Sequence, residues 1–349
     1  MKIVSFCIPS YNNAEGTYQL AFNLLKCNNT EMEVVICDDN STDDSFQRLK
    51  KINDSRLHIY KNERNLGAQK NWNRALELGQ GYYLYLVMNG DILEYLQTEN
   101  VISWLYKLKE QNIKCARDWS SDGKMHIYQG VHSFVNFLGT NHPTGLILER
   151  TFFHNLSQRE TYFSGMSMYP ECYVARDFLI VGRGAYIPGG LFVGKHMYQF
   201  EEVRSTVEYS KKKPYYFPEK RREQFYEILK MVLCDDRINL TEDDRLYYLK
   251  CKYRMLLYQV SIAWKSDNEN RNWSEHYGKC SRRVNKREMI KNIITTDKEV
   301  RKHYAEGFKK KYLIVLSYEK IYAIGKALLY SKMASYIKRK FVGIKYNFS

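Results

Sequence analysis

Polar residues that could do chemistry gather at the ends of apolar runs in this 349-residue chain. The run Tyr82-Tyr-Leu-Tyr-Leu-Val87 stops abruptly at Asn89, Gly90 and Asp91. A branched and aromatic run of that length predicts a buried parallel strand, so Asp91 is placed at a strand's C-terminal edge. Ligands of open α/β sheets bind at that edge, and a Gly beside an Asp lets a metal-bound diphosphate approach closely. Glu33-Val-Val-Ile-Cys-Asp38 ends in Asp38-Asp39-Asn40-Ser41-Thr42-Asp43-Asp44, at once an acidic strand end and the cap of a following helix. The first apolar run turns at Pro9-Ser10-Tyr11-Asn12-Asn13. A carboxylate with diphosphate oxygens would suit the oxygen-seeking ions Mg2+ or Mn2+.

The elements that must position these residues follow from the pattern between them. Strands are expected near 3–8, 33–38, 57–61 and 82–87, and helices over about 16–27, 43–52 and 68–77. Strand and helix alternating within 90 residues make a βαβ series, hence an α/β fold with a mostly parallel twisted sheet and helices on both faces. Its functional edge should bring Pro9 to Asn13, Asp38 to Asn40 and Asn89 to Asp91 together.

Four blocks carry a resemblance: Ile8-Pro-Ser-Tyr-Asn12, Val35-Ile-Cys-Asp-Asp-Asn-Ser-Thr-Asp43, Asn65-Leu-Gly-Ala-Gln-Lys-Asn71 and the Asn89-Gly-Asp91 strand end. In that order and spacing they resemble glycosyltransferase family 2, the inverting enzymes of GT-A (Rossmann-like) fold found in bacterial surface-polysaccharide synthesis. The resemblance spans roughly residues 1–200. It implies a nucleotide-sugar donor, a UDP-sugar, lying against Pro9, Tyr11, Asn12, Asp38, Asp39, Asn65, Gly67, Lys70, Asn71, Asn89 and Gly90. Tyr11 would stack on the base, and Asp39 would accept its N3–H. The family's Asp-x-Asp metal motif is altered, because Asn89 stands at its first position and leaves Asp91 as the metal carboxylate. Residues 140–150 are similar to the small-residue turn beside the donor sugar, where His142 could contact substrate. The family's general base sits in an acidic motif at a helix start, and two carboxylates compete for it. Asp177 lies five residues before Gly182, close to the family's usual spacing, and is preferred over Glu171, which follows Pro170. Six apart, they do not share a helix face. A strand over Tyr186–Val193 is then expected, followed by Lys195 and His196.

Charge divides the chain. Residues 1–205, read as the catalytic domain, carry 21 Lys and Arg against 22 Asp and Glu, whereas residues 206–349 carry 33 against 17. The second region reads as all helical: 220–234, 242–264, 286–294 and one long segment over 298–341. That last segment interleaves Ile, Leu and Tyr with lysines, which suits an amphipathic helix lying on an anionic membrane surface. No nucleic-acid motif accompanies the basic residues. Eight Cys without metal or paired spacing read as reduced core thiols. The chain starts directly in a strand, so no signal peptide is expected. Together these predict a cytoplasmic glycosyltransferase, peripheral at the inner face of the cell membrane, extending a glycan on a lipid-linked acceptor, with a second copy of the chain as a further candidate partner. The competing expectation, motivated by Asn89, is a degenerate GT-A domain that binds nucleotide or glycan without catalysis.

Overall fold

The computed structural model describes residues 2–118, 120, 122–131, 143–157, 159–164, 174, 176–177, 179, 183–195, 218–261, 286–304 and 310–329. The chain divides into two compact units, Met1–Val203 and Arg204–Ser349.

In the first unit β1 (Val4–Ser10), β2 (Met32–Asp38), β3 (Leu57–Lys61) and β4 (Tyr83–Leu86) pair in parallel in the order β3-β2-β1-β4. The helices between them are α1 (Ala14–Leu25), α2 (Ser45–Leu49) and α3 (Ala68–Leu78). Beyond β4 the sheet is mixed. Its order continues through β8 (Leu146–Glu149), β6 (Cys115–Asp118), β9 (Arg183–Ile187) and β7 (His126–Gln129). β8 runs antiparallel to both β4 and β6, β6 and β9 are parallel, and β7 is an antiparallel edge. Short strands β5 (Asp91–Leu93) and β10 (Phe192–Lys195) form a separate antiparallel pair.

Alternation along the strands fills both faces. Phe6, Ile8, Val34, Ile36, Tyr83 and Tyr85 pack with Leu20, Leu24 and Leu25 of α1, and with Val101, Ile102 and Leu105 of α4 (Thr98–Glu110). Cys7, Val35, Cys37, Leu84 and Leu86 are buried on the other side, where α3 supplies Ala75 and Leu76. Gly81 is a required glycine, since a Cβ there would lie 2.5 Å from Val4 C and 2.6 Å from Ser5 N. The six described cysteines are free thiols, and burial pushes Cys37 up to about 12. The run expected as one strand, 186–193, is two. β9 ends at Ile187 in the main sheet and β10 begins at Phe192 in the small one, because Pro188-Gly189-Gly190 turns the chain between them, with Gly190 at φ +70°.

The second unit contains α7 (Pro218–Leu233), α8 (Glu242–Ser261), α9 (Lys286–His303) and α10 (Lys310–Leu329); two short helices, α5 (Arg150–His154) and α6 (Arg159–Tyr162), belong to the first. The expected single helix over 298–341 is corrected, since residues 298–303 complete α9, whose buried Met289, Ile293 and Val300 continue one stripe. α8 packs against the other three. Asp297 pins their register, accepting from Tyr253 Oη at 2.8 Å, Arg301 Nε at 2.9 Å and Lys320 Nζ at 2.8 Å. None of the helices among the described residues is long and apolar enough to cross a membrane.

Candidate active site

The loops that leave β1, β2, β3 and β4 meet at the C-terminal edge of the parallel half and are tied together by buried carboxamides. Asn71, near the start of α3, donates from Nδ2 to Ser10 O at 3.3 Å and to Cys37 O at 3.0 Å, fixing the helix across the ends of β1 and β2. Its Oδ1 accepts from Asn62, which also donates to Asp39 Oδ1 at 2.9 Å. Asp39 holds the next loop, accepting Leu66 N–H on Oδ1 at 2.8 Å and Gly67 N–H on Oδ2 at 2.9 Å. Gly67 has φ +84°, which favours glycine there. With two donors on Oδ1 and one on Oδ2, Asp39 keeps one lone pair on Oδ2 for a further donor. Asp39→Ala strands these donors, and a stability loss of about 3 kcal/mol is expected in denaturant unfolding, together with weaker nucleotide binding.

Other residues named from the sequence spend their side chains on the frame. Asp38 is fully buried and accepts from Ser41, from Oγ on Oδ1 and from N at 3.0 Å on Oδ2. Asn12, at φ +44°, accepts from Thr42 N at 2.9 Å, and its own N–H donates to Ser41 Oγ at 2.9 Å. Pro9 lies buried within β1. Tyr11 is half-buried, while Asn65, Gly67 and Lys70 are exposed along the same edge. The exposed surface at this edge thus falls to Tyr11, Asn65, Gly67 and Lys70, while Asp39 is only 2% exposed; Pro9, Asn12, Asp38 and Asn71 hold these in place.

The loop after β4 makes the other wall. Asn89 O accepts from Asn13 Nδ2 at 2.6 Å, and Asn89 Nδ2 donates to Ser10 Oγ at 3.4 Å. Gly90 is buried beside it. Asp91 is 3% exposed and its Oδ2 accepts the hydroxyl of Thr144, which itself accepts Met88 N–H at 2.9 Å. Thr144 was not singled out from the sequence; it sits in the small-residue segment, but nothing in its type marks it as the partner of Asp91. β5 sets Asp91 opposite Lys195 on β10. The turn into β10 is clasped by Asp118, which accepts Gly190 N–H at 2.8 Å, Leu191 N–H at 3.1 Å and the Tyr85 hydroxyl at 2.9 Å. Burial raises the Asp118 carboxyl, opposed by these hydrogen bonds. Among the described residues no group of three or more His, Cys, Asp or Glu could hold a metal by itself.

Asp177 is buried in a clasp of its own. It accepts Ser157 N–H at 2.7 Å, Ser157 Oγ at 3.0 Å, Tyr162 Oη at 3.0 Å and Arg176 Nη1 at 2.8 Å. Its oxygens therefore serve α6 and the preceding turn. Glu171, His142 and His196 lie outside the described residues, and the side chain of Lys195 does as well.

Four strand-end loops thus meet at one edge of the sheet, with Asp39 bound to the Gly67 loop and Asp91 bound to Thr144. Glycosyl transferase family 2 matches residues 5–169. This segment is a family 2 glycosyltransferase domain. Over 167 residues the chain is 28% identical to the Escherichia coli UDP-Glc:alpha-D-GlcNAc-diphosphoundecaprenol beta-1,3-glucosyltransferase WfaP, covering 45% of this chain and 64% of that protein. The chain thus spans less than two thirds of that relative. Two solved structures share the fold. S. aureus TarS in complex with UDP-GlcNAc superposes with a TM-score of 0.53 at 17% identity, covering 100% of this chain and 94% of that one. The mannosyltransferase PcManGT from Pyrobaculum calidifontis, in complex with GDP-Man and Mn2+, gives 0.50 at 13%, covering 93% and 87%. The first unit therefore has the GT-A architecture, a mixed eight-stranded sheet flanked by helices, and a helical region follows it in the chain.

Proposed function

We propose that the chain is an inverting glycosyltransferase that moves a sugar from UDP to a hydroxyl of a growing, lipid-linked cell-surface glycan, of the capsule or exopolysaccharide kind, at the cytoplasmic face of the membrane. The observation that carries this reading is the shared edge that joins Asp39, with one Oδ2 lone pair left beside the Gly67 N–H, to Asp91, held on the loop after β4. An open carboxylate lone pair selects a base with an N–H, as uracil has at N3, and the Tyr11 ring offers the stacking surface. The UDP-Glc donor and diphosphoundecaprenol-linked acceptor for which WfaP is named support the donor and acceptor classes.

Asp91 fits a hard divalent ion through oxygen alone. With one carboxylate, donor diphosphate oxygens and water would have to supply the remaining ligands, so Mg2+ or Mn2+ would be held only together with donor. Such an ion would neutralise charge on the departing diphosphate. The Mn2+ of PcManGT supports the assignment. In the transfer step the acceptor oxygen forms a bond to the anomeric carbon as the carbon–oxygen bond to the diphosphate breaks, and the acceptor proton passes to a carboxylate. We assign that base to Glu171, since the oxygens of Asp177 are engaged by Ser157, Tyr162 and Arg176.

The deciding measurement is the melting midpoint of the full chain with UDP, dTDP, GDP or CMP, each with and without Mn2+. Ligand at a hundredfold its Kd stabilises the folded state by about 2.7 kcal/mol. A rise with UDP that grows with Mn2+ is expected; a rise with GDP alone would reassign the donor. Absence of any rise would favour the second reading, motivated by Asn89, of a domain without a working diphosphate site.

A further inference from the structure

Helix α10 is apolar on two opposite faces. Leu316 and Ala327 are buried, as is Glu319, which takes Arg254 Nε at 2.6 Å and Nη2 at 2.8 Å. On the other side Ile314, Tyr318, Ile321 and Leu328 are 62%, 61%, 71% and 55% exposed. At the helical repeat these four fall within an arc of about 80°. Gly325 lies in the same arc, and a Cβ built there would meet nothing within 4 Å. A helix apolar all round is normally covered on every side, and contiguous exposed stripes of this kind mark interaction surfaces.

The rim of the stripe is basic. Lys250 lies 6.0 Å from the Tyr318 ring, and Arg254 and Lys326 lie 4.9 and 4.8 Å from the Tyr322 ring. Lys310 and Lys311 begin the helix, and its single acid, Glu319, is the buried one. The sequence continues in kind: residues 330–349 contain Lys332, Lys338, Arg339, Lys340 and Lys345 and no Asp or Glu.

We propose that this stripe is a docking surface for an anionic lipid bilayer, with Ile314, Tyr318, Ile321 and Leu328 entering the interface and Lys250 and Lys326 at headgroup level. Charge selects the occupant. A second copy would bring lysine against lysine in either direction and supplies no exposed acid along the helix to meet them. An anionic surface meets the apolar stripe and the basic rim together, and aromatic rings flanked by cations suit the interface. The proposal names the surface behind the membrane location given above and rests on that reading for its purpose, while its test needs no transfer.

The test is co-sedimentation of the full chain with phosphatidylcholine vesicles, with and without phosphatidylglycerol, at low and high salt, beside Ile321→Glu and Ile314→Ser. Binding only to the anionic vesicles, weakened by salt, is expected, with a roughly tenfold or greater loss for each variant, as unburying one Ile side chain implies. The melting midpoint and its UDP shift serve as the fold control, and a failed UDP shift with intact vesicle binding would sink the catalytic reading alone. Equal binding to both vesicle types, wild-type binding by both variants, or no vesicle binding together with a dimer that Ile321→Glu dissociates would each overturn the proposal.

Discussion

Glu171→Gln is expected to remove sugar transfer almost completely while UDP still raises the melting midpoint. A positioned general base contributes about two to four orders of magnitude, and the amide keeps the size of the side chain but cannot take the acceptor proton. On the proposed reading donor binding rests on Tyr11, Asp39 and Asp91 and should stay within twofold, so the loss falls on kcat. The paired result concerns Asp177. Its carboxylate meets Arg176 Nη1 at 2.8 Å, and both residues are about 5% exposed. Asp177→Asn removes a buried charge partner of the Arg176 guanidinium and weakens the Ser157 and Tyr162 clasp, which costs about 3 kcal/mol. That variant should melt early and, below its melting temperature, retain most transfer per folded molecule. If instead Asp177→Asn were well folded and inactive, and Glu171→Gln fully active, the two roles would be exchanged.

Asp91→Asn carries the second large effect. The amide oxygen can still accept the Thr144 hydroxyl, so the strand pair β5/β10 and the melting midpoint should survive. What disappears is the only charge on that loop, since Asn89 and Gly90 are neutral. The Mn2+-dependent part of the UDP shift should vanish, and transfer should fall roughly a hundredfold to a thousandfold, the cost of losing one preorganised electrostatic partner at a departing anion. Retention of both would show that diphosphate is neutralised elsewhere. Asn89→Asp offers the converse check: a restored pair of carboxylates should lower the Mn2+ concentration needed for half-maximal shift.

The alternation of apolar runs and helix stripes made the parallel half legible in the sequence, and β3 and α3 lie where their residues place them. Where the chain leaves the sheet was not legible, because a run such as Tyr186 to Val193 stays apolar through the Pro188 turn while its hydrogen-bond partners change from β6 to β5. The partner that fixes this turn, Asp118, is 72 residues away from Gly190 in sequence. The same limit applies at the site. Asp38 and Asp39 are adjacent and chemically identical, yet one is closed around Ser41 and the other faces the loop of Gly67. Residue type shows that a carboxylate stands at a strand end, and strand pleat decides which way it points. Thr144 was invisible for a related reason, since its role lies in a contact with Met88 and Asp91 more than fifty residues away.

The strand that bears Asp91 has an unusual place in the order of assembly. β2 pairs with β1 and β3, its neighbours in the chain, but β5 finds its partner only when Lys195 arrives, more than a hundred residues later. Closing so long a loop returns little until both ends are fixed, so non-local pairings form late. A newly made chain is therefore expected to gain the loops of Asp39 and Gly67 before the strand of Asp91, and on the proposed reading a molecule stalled between the two stages would hold a base without committing a sugar.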